Sequence, residues 1–357
     1  MPASSTTLSK AELGEQLAQL AQTQGVTQQT LADALGIHRS TISKVFKGQV
    51  QKLTHYESIA KQLGTSTQKL SKQLKFEATP QLKGSSNSQA SVITVAIQKG
   101  GSGKTTTVVN LAALWAREGL KVLVIDLDMQ GHCALHLGEQ ADGAALMNAI
   151  RTRSKVDPIK TEFGVDLLAG GAALRSLTPH LLSSISPLTE VKRLVKLYRD
   201  DYDLILIDTA PSLETSTCNA IVAADFLLIP VQTETGALEG LATLYEVYEM
   251  LSEDHGPIQI LASVPTLHDA RTVLHDQMLQ TLQQHTHLRP TDIVIKRSIP
   301  VAEAFTMRQP VSEYAPDSSA AESFEDLCHE LTQRLLAHGA LQTADTTMTQ
   351  ALQEVAQ

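Results

Sequence analysis

The sequence predicts an α/β fold, a doubly wound and mostly parallel sheet covered by helices on both faces, preceded by a small all-α module. Three observations predict it. Short, β-branched, almost wholly apolar runs alternate with helical patterns from residue 92 onward, as strands buried on both faces do. One such run, Val92 to Ile97, leads into the glycine-rich stretch Lys99-Gly100-Gly101-Ser102-Gly103-Lys104-Thr105-Thr106 and then a helical pattern from Val108 to Ala116. Residues 1 to 75 hold nine Lys/Arg against four Asp/Glu, a net of about +5 in a chain whose overall charge is −9. A basic segment therefore precedes an acidic body.

Within the basic segment, residues 13 to 74 read as a helical unit. Thr27 to Val45 carries a helix-turn-helix pattern, with Thr27 as N-cap, the small Ala32 where helices cross, Gly36 at the turn, and apolar Ile37, Ile42 and Val45. Tyr56, Ile59, Ala60 and Leu63 supply the core side of a following helix. Such patterns also occur as packing units, but the positive charge of the segment favours DNA as its partner. The pattern resembles the Cro/cI-type repressor family. That resemblance implies that Arg39, Ser40, Thr41, Ser43 and Lys44 face the major groove and that Thr27 and Gln28 lie near phosphates. His38 stands where that family often has a serine cap.

Phe76 to Ser91 has linker composition, with Pro80, Gly84 and Ser85-Ser86-Asn87-Ser88. The expected division is a DNA-binding domain over 1–75, a linker over 76–91, the α/β domain over 92–338 and a polar tail over 339–357. Candidate strands in the α/β domain are Val92 to Ile97, Val122 to Ile125, Leu204 to Ile207, Phe226 to Val231, Ile258 to Ser263 and Ile293 to Ile295. The last clear helix runs from Ala321 to His338. Ligands of such sheets sit at the carboxyl ends of strands, where the glycine-rich stretch, Asp126 and Asp208 fall.

The glycines let backbone N–H groups turn inward on a polyphosphate, Lys104 adds a point charge, and the helix start adds its dipole. Lys104 is expected on the β/γ-phosphates, and Thr105, at the first helical turn, on Mg²⁺. Thr106 is placed to reach the α-phosphate. Asp208 closes its strand as a Walker B aspartate does. The stretch departs from the common spacing, because Gln98 replaces the first glycine and a second lysine, Lys99, leads the loop.

With Lys-Gly-Gly-Ser-Gly-Lys-Thr-Thr in place, the loop resembles the deviant Walker A loop of the ParA/MinD ATPases. The resemblance implies that Lys99 reaches across a dimer to the partner's nucleotide. Asp126-Leu127-Asp128-Met129-Gln130-Gly131 is similar to that family's Asp-x-Asp-Pro-Gln-Gly segment, with Met129 for proline and His132 for asparagine. It implies that Asp128 orients the attacking water and that Asp126 lies behind the metal. Asp208 to Leu213, Ile229 to Glu234 and Pro265 to Thr272 match further family segments, so the resemblance covers about residues 91 to 338. Ile295 to Ala304 is similar to the family stretch that borders the adenine pocket, which Pro300 would line, beside a basic face that binds DNA without sequence preference. Lys296, Arg297 and Arg308 are the candidate cations of that face.

No apolar run approaches the length of a membrane span, and the first residues lack a signal-peptide pattern, so a cytoplasmic chain without a membrane partner is expected. Cys133, Cys218 and Cys328 are far apart and form no metal or disulfide spacing. What the resemblance implies is a partition ATPase using ATP and Mg²⁺. As a homodimer with sandwiched nucleotide it would bind nonspecific DNA on the nucleoid, answer to a centromere-binding ParB-type protein, and repress its own operon through the N-terminal domain. The alternatives are a transcription regulator switched by ATP and a nucleoid-based positioner of a protein cargo.

Overall fold

The computed structural model describes residues 10–48, 53–64, 82–84, 89–234 and 236–343. They divide into two compact units, one within residues 1–79 and the other within 80–357.

The first unit holds helices α1 (Lys10–Thr23), α2 (Gln28–Leu35), α3 (Arg39–Phe46) and α4 (Leu53–Gln62). The α2 helix starts where the Thr27 side chain accepts the Thr30 N–H, and it stops at Gly36, whose φ of 67° is left-handed. His38 then caps α3 by accepting the Ser40 N–H on its ring, so an imidazole replaces the usual hydroxyl. A Cβ on Gly14 would lie 2.2 Å from the Val45 carbonyl oxygen, so glycine is what permits α1 and α3 to cross this closely. Leu13, Leu17, Leu31, Ile42, Val45, Tyr56 and Ile59 form the unit's core. Residues 1–9, 49–52 and 65–75 of the expected N-terminal domain lie outside the described residues.

In the second unit the strands are β1 (Leu82–Gly84), β2 (Ser91–Val95), β3 (Val122–Asp126), β4 (Ile159–Lys160), β5 (Val165–Leu168), β6 (Leu204–Asp208), β7 (Phe226–Gln232), β8 (Gln259–Thr266) and β9 (Leu341–Thr343). The main sheet has the order β4-β5-β3-β6-β2-β7-β8. Its pairings are parallel except at the edge, where β4 runs antiparallel to β5. Alternate residues feed opposite faces. Ile93, Val122 and Val124 pack with Trp115 and Phe324 on one side. Val92, Leu123 and Ile125 pack with Leu146 and Tyr198 on the other. The helices that flank the strands include α5 (Lys104–Arg117), α6 (His132–His136), α7 (Ala144–Thr152) and the terminal helix Ser319–Ala337. This is the doubly wound architecture expected from the apolar runs.

Three features differ from the sequence reading or add to it. Leu82–Gly84, inside the expected linker, pairs antiparallel with Leu341–Thr343, inside the expected tail. Leu341 is fully buried, and the Gly84 N–H donates to Asp203 Oδ1 at 3.0 Å, so both segments join the α/β unit. Ile293–Ile295 forms no strand; it runs beside β8 through Thr291 N–H to Ser263 O and Ile295 N–H to Pro265 O. A bond from the Thr291 hydroxyl to the Ile293 carbonyl curls the chain there and interrupts any ladder. The β4 and β5 strands were not anticipated: one has two residues, and Asp166 breaks the apolar run of the other.

Candidate nucleotide-binding site

The sheet register places the acids. Val95 on β2 and Asp126 on β3 both lie opposite Asp208 on the strand between them, so two carboxylates meet at the carboxyl edge where the glycine-rich loop leaves β2. The loop turns through Gly101 and Gly103, with φ of 71° and 86°, positions at which any Cβ would be strained. At Lys104 the α5 helix begins, so its free N–H groups face the loop. The Lys104 ammonium donates to the Lys99 carbonyl at 3.0 Å, and the Ser102 hydroxyl donates to the same oxygen at 3.2 Å. The buried Thr266 hydroxyl anchors the loop from β8 by donating to the Ser102 carbonyl at 2.8 Å. Burial lowers the Lys104 pKa, and the carboxylates of Asp208 and Asp128 oppose that shift.

Thr105 donates its hydroxyl to Asp208 Oδ2 at 2.6 Å. Burial pushes the Asp208 pKa up to about 6, against the bonds from Thr105 and Cys133 and the charge of Lys104. Its other oxygen, Oδ1, is buried with no hydrogen-bond partner. Asp126 is fully buried, and its burial together with the Asp208 charge raises its pKa well above the carboxylate range. Its two oxygens accept the backbone N–H groups of Asp128, at 2.9 Å, and Cys133, at 3.2 Å. An orphaned carboxylate oxygen, a second buried carboxylate and an adjacent threonine hydroxyl are the oxygen donors that a hard divalent cation takes, so these residues fit magnesium. Asp128 is buried, and one of its oxygens accepts the Gln130 N–H at 2.9 Å.

Two residues that the motifs did not single out support this arrangement. A Cβ on Gly170 would lie 2.4 Å from the Asp128 carbonyl oxygen and 2.8 Å from Asp126 Cγ, so glycine lets the chain after β5 brace the acidic loop. The Gly170-Gly171 pair was the available signal. Glu234, at the end of β7, stands 3.9 Å from the Lys99 ammonium and 2.9 Å from Arg297 Nη2. Lys99 is half-exposed and is drawn to Glu234, while the loop's interior is served by Lys104.

The remaining expected residues are more scattered. Gly100 lies in the loop and Thr106 in the first turn of α5. Pro300 is half-buried in the first turn of the helix Ile299–Thr306, whose Phe305 ring packs on His132 and His136. Arg297 is exposed and pairs with Glu234 at 2.9 Å. Lys296 is exposed, and Arg308 is exposed with a left-handed φ of 58°.

In the first unit Arg39 and Ser40 are exposed on α3, and Ser43 and Lys44 are half-exposed. The Ser40 hydroxyl pairs with the His38 ring at 2.7 Å. Thr27 is exposed at its cap and Gln28 half-buried beside it. Thr41 is corrected: only 5% exposed, it faces the helical core with Ile42 and Val45 and not the outside.

Residues 90–260 match the AAA domain family, and residues 12–72 match a helix-turn-helix domain family. The chromosome-partitioning ATPase Soj of Thermus thermophilus is 35% identical over 246 residues, covering 68% of this chain and 96% of that protein. The sporulation initiation inhibitor protein Soj of Bacillus subtilis is also 35% identical over 246 residues, with 67% and 97% covered. Among solved structures, cobyrinic acid a,c-diamide synthase from Mycobacterium smegmatis with bound ADP and magnesium is 26% identical. It superimposes with a TM-score of 0.61 over 71% of this chain and 98% of that one. With the loop, the paired strand-end aspartates and these relatives together, the chain belongs to the ParA/MinD family of deviant Walker A ATPases and is an ATPase.

Proposed function

We propose that this protein is a DNA-partition ATPase whose ATP-bound homodimer holds nonspecific DNA on the nucleoid in the cytoplasm. Its N-terminal helix-turn-helix domain reads an operator and represses its own operon. A ParB-type centromere-binding protein stimulates hydrolysis. The observation that carries this reading is Lys99: a second lysine at the loop's mouth, drawn outward to Glu234, while Lys104 already serves the loop interior. A lysine in that position is available to a second subunit's phosphates.

ATP and Mg²⁺ are the cofactors. Lys104 exchanges its bond to the Lys99 carbonyl for the β- and γ-phosphate oxygens, joined by the loop N–H groups and the start of α5. The Thr105 hydroxyl and Asp208 hold the metal, with Asp126 behind them fixing the loop from Asp128 to Cys133. Mg²⁺ held by these residues would supply positive charge against the charge that builds on the transferred phosphoryl group. Asp128 accepts a hydrogen bond from the attacking water and orients it, its carboxylate held in place by the Gln130 N–H. Pro300 lines the adenine side, and Lys296, Arg297 and Arg308 contribute to the DNA-binding face of the dimer. Arg39, Ser40, Ser43 and Lys44 contact bases, with Thr27 and Gln28 near phosphates.

Lys99→Ala tests the sandwich. It should leave ATP affinity within roughly tenfold of wild type, about 1.4 kcal/mol, while abolishing hydrolysis and the ATP-dependent dimer in sedimentation with Mg²⁺. A Lys99→Ala protein that dimerises and hydrolyses normally removes the sandwich and leaves an ATP-switched regulator as the better account of the helix-turn-helix domain.

A further inference from the structure

At the back of the nucleotide site lies a donor that magnesium chemistry does not use. Cys133, in the first turn of α6, is fully buried. Its Sγ stands 3.4 Å from Asp208 Oδ2, and its N–H donates to Asp126 Oδ2 at 3.2 Å. One atom from each of Asp126, Cys133 and Asp208 can be chosen so that all three lie within 4.8 Å of one another. Asp208 Oδ1 is buried beside them without a partner. We propose that Asp126, Cys133 and Asp208 form a site for a thiophilic divalent cation, Zn²⁺ in the first instance, which overlaps the magnesium position and competes with it.

The donor set separates the two ions. Mg²⁺ takes near-octahedral oxygen ligands and has no use for sulfur. Zn²⁺ takes mixed sulfur and oxygen tetrahedrally, at about 2.3 Å to S and about 2.0–2.2 Å to O. Those lengths and a tetrahedral angle put sulfur and oxygen about 3.5 Å apart, close to the observed 3.4 Å. Charge balances as well. A thiolate and two carboxylates carry three negative charges, which a divalent ion and the neighbouring Lys104 ammonium neutralise. On binding, the thiol proton, and with it any proton on the two carboxylates, passes to solvent, and the S–H···O contact is replaced by two bonds to one ion. The ion then occupies Asp208 Oδ2, which otherwise accepts the Thr105 hydroxyl. Competition rests on the magnesium role of Asp208 proposed above; binding itself does not.

Cobalt(II) is the probe, because a tetrahedral cobalt–thiolate centre absorbs where cobalt on carboxylates or imidazoles does not. Nucleotide-free, full-length protein titrated with Co²⁺ should develop a thiolate-to-metal band that saturates at one ion per chain and is bleached by Zn²⁺. Cys133→Ala and Cys133→Ser should lack the band and bind Zn²⁺ at least tenfold more weakly, whereas Cys218→Ser should keep both. Excess Mg²⁺ and ATP should weaken Zn²⁺ binding to the wild type. Absence of the band in wild type, or its survival in a folded Cys133→Ala protein, overturns the site; Zn²⁺ affinity indifferent to Mg²⁺ and ATP overturns the overlap. Magnesium-dependent hydrolysis without a cobalt–thiolate band discards the inference and leaves the ATPase standing, while the band in a protein that does not bind ATP does the reverse.

Discussion

The two units of this chain carry their candidate functional residues in opposite ways. In the α/β unit Lys104, at the start of α5, and Asp126 and Asp208, at strand ends, are buried where desolvation works against their charges. In the helical unit Arg39 and Ser40 stand on the exposed side of α3, while Thr41, Ile42 and Val45 hold the core. Function therefore opposes stability in one unit and is nearly independent of it in the other. The lesson is about what a substitution reports. Removing a charge from the nucleotide site should change folding and activity with opposite signs, whereas removing an exposed side chain from α3 should leave folding unchanged.

The largest effect is expected at Lys104. Lys104→Ala removes the principal side-chain charge from a loop of backbone donors, and ATP binding should fall below detection by calorimetry. Unchanged affinity would remove the nucleotide-site assignment and, with it, the contrast between the units.

Asp208→Asn probes the same contrast through pH. In the folded protein the Asp208 pKa is raised to about 6, from 3.8 for the free group, so folding favours its protonated form. The burial penalty is absent below pH 4, grows as pH rises, and is complete above pH 6. The nucleotide-free Asn variant should melt several degrees higher than wild type at pH 7.5, with the gap closing towards pH 4, while magnesium-dependent hydrolysis is lost. If the variant melts lower at pH 7.5, the carboxylate is a structural anchor and not a site held against its own burial cost.

Arg39→Ala should do the reverse. Its melting temperature should match wild type, and operator affinity should fall by about 1–3 kcal/mol if the guanidinium makes a bidentate base contact. Footprinting of its own promoter checks this: with no protected half-sites, the repressor reading fails. Thr41→Ala, by contrast, alters a side chain in the core, so any loss of operator binding there should come with a lower melting temperature.

How much was legible follows from how local each signal is. The loop from Lys99 to Thr106 and the acids Asp126 and Asp208 could be placed because strand, turn and helix are contiguous in sequence. Parallel pairing then sets Asp126 opposite Asp208. The Thr27 cap and the Gly36 turn were legible for the same reason. What escaped was non-local. Leu82–Gly84 is a strand only because Leu341–Thr343 lies beside it, and Gly170 matters only because the chain passes within contact of Asp128. Glu234 could be read as a strand end, but its pairing with both Lys99 and Arg297 joins three distant segments. Thr41 was misplaced because resemblance assigns residues to a helix face by position, whereas an eight-residue α3 turns that position against its neighbours.

Thr27→Ala gives the smallest effect and the finest test of how independent reading is from folding. The Thr27 side chain is exposed yet accepts the Thr30 N–H at 3.1 Å and pairs with the Thr30 hydroxyl at 2.8 Å, so it satisfies a donor that the start of α2 would otherwise leave to water. Losing the cap should cost the helical unit about 1 kcal/mol, seen as faster amide exchange over α2 with little change over α3. The same hydroxyl is the candidate phosphate neighbour, so two causes could weaken DNA binding. Thr27→Ser keeps the cap and should restore exchange protection. If affinity recovers with it, the residue acts through the helix start; if exchange recovers while affinity does not, the threonine methyl packs against the DNA backbone, and this position joins Arg39 as one where reading is separable from stability.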